Sequence, residues 1–245
     1  MMRRFRWLAL LFFLTAACTT GRRQTRTLLS ADGQMAEVTH VDSGCSNTYT
    51  QEHSRVGGGI AVRQTHAGGA VYGGTVRAVS GQAYENDEYP DTYDKARYTL
   101  LGGGLMGGYV WDHVALEAGV AGVLSTASDG ILPVPSLRLQ LGGPGVAWFD
   151  LELGSQDPVF YTNLVSVGGG VEGESYRLRG GLTSYAVPID DSDPGGGLRL
   201  AHEGRDYDLG TFADISVWDG RFGFVAGAVL GANVLGRVGL SIQLD

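Results

Sequence analysis

Lysine is almost missing from this chain: Lys95 is the only one in 245 residues. Cysteine is scarce at two and proline at seven. Only 18% of residues are charged, and 26 acids against 18 lysines and arginines leave a net charge of −8, which argues against nucleic acid as a partner. Beyond residue 17 no apolar run approaches the ~20 residues of a membrane helix, so a polytopic helical protein is excluded. Glycine, by contrast, is abundant: its 40 residues are roughly twice average usage. They follow no three-residue period, which rules out collagen. Hydrophobic residues, at 43%, are too plentiful for a disordered chain. The length allows one large domain or two small ones.

The first segment reads as an address. Arg3, Arg4 and Arg6 form a basic region, Trp7 to Leu14 an apolar one, and Thr15-Ala16-Ala17-Cys18 a small-residue cleavage site. Leu14-Thr15-Ala16-Ala17-Cys18 resembles the lipobox of bacterial lipoproteins, although Leu is more usual where Thr15 stands. That resemblance implies a diacylglycerol on the Cys18 sulfur, with cleavage just before it. Thr19 in place of the Asp that retains such proteins at the inner membrane resembles the outer-membrane class. An ordinary signal peptide, with a Cys18–Cys45 disulfide, is the competing reading. We therefore expect a signal peptide at 1–17, a lipidated N-terminus and tether at 18–34, and one folded domain at 35–245.

After the polar stretch the hydrophobic period is two, not 3.6. Val114, Leu116, Ala118 and Val120 oppose His113, Glu117 and Gly119. Leu137, Leu139 and Leu141 oppose Arg138 and Gln140, and Phe149, Leu151 and Leu153 oppose Asp150 and Glu152. Tyr176, Leu178 and Leu182 oppose Arg177 and Arg179; Ile215 and Val217 oppose Asp214 and Ser216. Phe222, Phe224 and Leu230 lie opposite Arg221, Gly223 and Gly231, and Val238, Leu240 and Ile242 opposite Arg237, Gly239 and Ser241. No segment reads as a helix. The pattern predicts an all-β protein.

Connections alternate in length. Short ones fall near 65–67, at Trp111-Asp112-His113, at 142–145, at Glu172-Gly173-Glu174 and at Trp218-Asp219-Gly220. Longer polar ones fall at about 43–54, 83–95, 125–131, 155–160 and 187–205. In an up-and-down antiparallel β-barrel this collects tight turns at one rim and long loops at the other. Counting a first strand at 35–42 gives about twelve strands, with eight to twelve possible, and puts both termini on the tight-turn side. The apolar face bears no charge, as lipid contact requires. The other face bears Glu117, Arg138, Asp150, Glu152, Arg177, Arg179, Asp214 and Arg237, a mixed set suited to pairing across a narrow lumen. Trp111 and Trp218, in matching Val-Trp-Asp steps before tight turns, suit an interfacial aromatic girdle.

The run from Gly104 through Met106-Gly107-Gly108-Tyr109-Val110-Trp111-Asp112-His113 to Glu117-Ala118-Gly119 resembles a hairpin of small outer-membrane β-barrels, the group typified by the N-terminal domain of outer membrane protein A. The likeness covers about thirty residues. It implies short periplasmic turns, longer outer loops and contact with outer-membrane lipid, and brings in the barrel-assembly and lipoprotein-sorting machineries as partners. The chain departs from that group at its last strand, which ends Gln243-Leu244-Asp245 instead of in Phe or Trp.

Chemistry candidates are few. Gly102-Gly103-Gly104-Leu105-Met106-Gly107 matches GxGxxG, but a strand follows where a dinucleotide site needs a helix, so no cofactor is expected. Acids at Glu85-Asn86-Asp87-Glu88, Asp91 and Asp94, and at Asp190-Asp191-Ser192-Asp193, lack the EF-hand spacing and read as solvated loops, not a metal site. His202 with Glu203 and Asp206 is the one histidine near a long-loop rim with acids, and no GxSxG nucleophile accompanies it. Three functions stay open. The first is a lipid-anchored outer-membrane barrel with a structural or small-pore role. The second is a soluble periplasmic barrel or sandwich tethered by its lipid, with the apolar face inside. The third is a lipid-modifying barrel enzyme.

Overall fold

The computed structural model describes residues 23–41, 48–86, 95–125, 131–142, 147–155, 158–190, 198–201 and 208–244. Its strands are β1 (Arg23–Val41), β2 (Thr48–His66), β3 (Ala70–Asn86), β4 (Lys95–Val110), β5 (Val114–Ser125), β6 (Ile131–Leu141) and β7 (Ala147–Leu153). They continue with β8 (Thr162–Glu172), β9 (Tyr176–Asp190), β10 (Leu198–Ala201), β11 (Asp208–Asp219), β12 (Phe222–Gly231) and β13 (Val234–Leu244). No helix occurs among the described residues. Every pairing is antiparallel, and twelve strands pair in succession until β13 meets β1, from Thr27↔Leu244 to Glu37↔Val234. The chain is a closed up-and-down β-barrel. β10 stands outside the circuit, paired only with the tip of β9 from Leu198↔Asp190 to Ala201↔Val187.

The alternation decides what faces where. Leu116, Phe149, Phe224 and Leu240 are exposed on the outer surface, while Glu117, Asp150 and Glu152 are buried inside. Both chain ends of the barrel, Arg23 and Leu244, lie at the rim of tight turns. At those turns the backbone reverses with few residues. Gly69 (φ 91°) follows β2, and Gly220 (φ 58°) follows β11, a conformation that costs a residue with a Cβ more than glycine.

Four expectations need correction. The tether was placed at 18–34, yet β1 begins at Arg23 and is laddered to β2 from Arg23↔His66 onward. Its polar residues Asp32 and Gln34 point inward and are buried, while the exposed outward positions from 31 to 37 are Ala31, Gly33, Met35 and Glu37. The strand expected at 35–42 therefore starts twelve residues earlier, and a weakly apolar outer face hid its first half. The 187–205 connection is partly the β9–β10 hairpin. Within the 155–160 connection, Val159 and Phe160 are not part of a loop on the outer rim, because they are buried inside the barrel. One link also breaks the length alternation, since only Ala232 and Asn233 join β12 to β13 at the long-loop rim.

The inward fold follows from strand length. β7 has seven residues, so its chain leaves the wall at mid-height instead of at the rim. Gly154 makes the exit at φ 70°, pressed against the carbonyl of Pro135 on β6. No side chain fits there.

Candidate functional site: the lumen

The lumen is layered. Its half nearer the tight turns is charged. Glu117 on β5 pairs with Arg63 on β2. Arg138 on β6 reaches Asp150 on β7 at 3.3 Å, and Arg179 on β9 reaches the same oxygen, Oδ2, at 2.8 Å. Arg179 also donates to Glu152 at 2.7 Å. Arg237 on β13 lies 3.3 Å from Asp214 on β11, and Arg77 on β3 pairs with Asp32 on β1. Asp150 is fully buried, so its charge rests on the two guanidiniums. Arg177 stacks over the Trp148 ring at 4.8 Å, as Arg179 does over Phe212 and Arg237 over Phe160 at 4.7 Å. Alone of these three and Arg138, it pairs with no carboxylate among the described residues.

The sequence-expected set therefore shares the lumen face and forms two clusters. Arg138, Asp150, Glu152 and Arg179 make one; Asp214 and Arg237 make the other. Glu117 joins neither, since its partner is Arg63. Trp111 lies at the tight-turn rim, 51% exposed, with its ring 4.6 Å from Tyr109. Trp218 does not join a girdle. It is on the inward face with Asp214 and Ser216, its ring beside Gly223. Counting from Val217, which faces outward, gives the same answer. Cys18, Cys45, His202, Glu203, Asp206 and most of both acid runs lie outside the described residues.

The other half of the lumen is apolar, and the inward loop builds it. Val159 packs with Val79, Tyr98, Leu100 and Val123 on one side of the barrel. Phe160 packs with Val38, Tyr185, Phe212 and Leu235 on the opposite side. Adjacent loop residues thus brace opposite walls and fill the passage between them. Arg55 on β2 ties the loop down. Its Nη1 donates to the Val159 carbonyl at 3.4 Å, its Nη2 to the Pro188 carbonyl at 2.8 Å and its Nε to Tyr98 Oη at 2.8 Å. His53 Nδ1 meets the same hydroxyl at 2.9 Å.

Glycine has a spatial role here. A Cβ on Gly170 would come 2.5 Å from the Trp148 ring, and one on Gly168 2.7 Å from the Phe212 ring. Bare positions on β8 receive rings from β7 and, across β9, from β11, which lets large side chains fit inside a narrow barrel.

No family model matches the chain, and no curated protein matches its sequence. Among solved structures it is similar to a KdgM porin, at 11% identity over 88% of this chain and 99% of that one, with a TM-score of 0.44. A KdgM porin in complex with disordered oligogalacturonate matches at 12% identity over 88% and 99%, with a TM-score of 0.47. A Salmonella typhi OmpF complex with daunomycin matches at 10% identity over 91% and 98%, with a TM-score of 0.33. Likeness at this level transfers no ligand to this chain.

Proposed function

We propose that the chain is a lipid-anchored β-barrel of a bacterial outer membrane, with a structural or narrow-pore role. The sidedness of its strands carries this reading. Leu116 is 43% exposed and Leu240 67%, while Glu117 is 3% exposed. A soluble barrel would need the reverse. Monomeric soluble proteins rarely expose contiguous apolar patches beyond a few hundred Å², and hydrocarbon is the medium that removes the cost. Ion pairs inside and carbon outside match a barrel that spans with its strands.

The lipid fits the same orientation. Tight turns of bacterial barrels face the periplasm, and β1 starts at that rim, a few residues after Cys18. An acylated Cys18 would then sit against the leaflet that the barrel already crosses. The inward loop and ion-paired half-lumen favour slow passage of small solutes, or none, over an open channel.

Single-cysteine replacements at 116 and 117 test the insertion. A bilayer-restricted probe should label position 116, and a bulky aqueous reagent should fail at 117. Silence at 116 with free reaction at 117 would establish the tethered soluble alternative. Retention of an unlipidated chain in membranes after a carbonate wash gives a second reading of the same question.

A further inference from the structure

We propose that the charged half of the lumen holds a binding site for a small oxyanion, a carboxylate or a phosphate, with Arg177 as its main ligand. The site needs only the lumen geometry and stands whether or not the barrel conducts. A cavity of about 230 Å³ lies beneath the inward loop, lined by the guanidiniums of Arg138, Arg177, Arg179 and Arg237 and by the carboxylates of Glu152 and Asp214. That volume suits a small anion with some water, and Tyr161 and Ser216 in the lining add hydroxyl donors.

The pairing points to an anion. Of the four guanidiniums, three share the carboxylates of Asp150, Glu152 and Asp214. Arg138, Arg179 and Arg237 each have a carboxylate within 3.3 Å. Arg177 has none among the described residues. Its one close partner is the Trp148 ring face, which attracts the cation but accepts none of its N–H bonds in the plane. Glu172, its register partner on β8, makes no ion pair with it. A planar fork of donors therefore borders the cavity with its in-plane positions unused. That fork matches a carboxylate or phosphate edge in bidentate fashion. An anion there would also relieve the repulsion of Arg177 with Arg138 and Arg179. Stacking on Trp148 fixes the fork beforehand, which reduces the entropy lost on binding.

Titration of the folded, detergent-solubilised full chain with inorganic phosphate, at constant ionic strength in chloride, tests the site by calorimetry. One saturable site is expected. Arg177→Gln should weaken it about tenfold to a hundredfold, the loss of a charge-assisted bond of ~1.5–3 kcal/mol. Arg97→Gln, which removes an exposed arginine on β4, should leave affinity unchanged. Glu172→Gln keeps every guanidinium and removes the nearest free carboxylate, so it should tighten binding; this variant decides the matter if Arg177→Gln does not fold. No saturable phosphate heat in the parent chain would overturn the proposal. So would unchanged affinity in a folded Arg177→Gln, or in Glu172→Gln.

Discussion

Arg63 and Glu117 join strands that are not neighbours in the wall: their ion pair links β2 to β5 across a chord of the lumen. The partners are unequally buried, with the Arg63 side chain 40% exposed and that of Glu117 3%. Removing either one therefore has a different cost. Glu117→Ala leaves an arginine that water can reach, so we expect a loss of only about 1 kcal/mol. Asp150→Ala strands Arg138 and Arg179 beside each other, and breaking a buried pair in this way costs ~3–5 kcal/mol. Thermal unfolding followed by the heat-modifiable gel shift should rank Asp150→Ala well below Glu117→Ala. The reverse order would mean that water reaches Asp150.

Leu240→Arg should block assembly. Its side chain is 67% exposed on the outer face of β13, and arginine at a lipid-facing position near the bilayer midplane costs ~2–4 kcal/mol. Folding yield into phospholipid vesicles measures this. Arginine at the neighbouring inward position, Ser241, gives the contrast, because it points away from lipid. Equal yields for the two would contradict the assigned faces.

The brace of Val159 and Phe160 predicts a conductance change. Phe160→Ala removes the ring that fills the gap to Phe212 and Leu235. Arg55→Ala removes the bonds to the Val159 and Pro188 carbonyls. In planar bilayers the parent should show small or no unitary steps, and each variant larger ones. Steps that stay the same size would mean the passage is closed elsewhere.

Cys18→Ala should abolish acylation and the processing that depends on it. Mass spectrometry of the mature N-terminus reads the result directly. One acyl chain holds a protein only marginally and two hold it stably, so the barrel variant should remain membrane-bound through its strands alone.

Much of this architecture was legible in the sequence because a wall with carbon on one side and charge on the other writes its period into every strand. Leu116 beside Glu117, or Phe149 beside Asp150, gives the face without further information. Only the start of β1 escaped, the period placing the strand from 35 instead of 23, because Ala31 and Gly33 make its outer face faint. Arg55 and Arg63 were readable in principle, since they share a parity with Gly57, Gly59 and Ala61 while Val56, Ile60 and Val62 take the other. Which acid each arginine meets was not readable, because partners such as Arg63 and Glu117 are set by the curvature of the barrel and not by spacing. The inward loop left one sign, the apolar run Val159-Phe160-Tyr161 in an otherwise polar connection. Its path into the lumen depends on the shortness of β7, a tertiary fact.

That short strand also makes the wall uneven in strength. β6 and β7 share only five register pairs and β7 and β8 six, against nineteen between β1 and β2. Above Leu137, the stretch of β6 from Ile131 to Ser136 has lost β7 as a neighbour, and Pro133 and Pro135 lie within it. Spaced two apart, both prolines withhold an N–H from the same edge, so a foreign strand finds few donors there. Amide exchange should therefore be fastest along β7 and slowest along β1 and β2, with the barrel opening locally at this staved-in plank long before it comes apart.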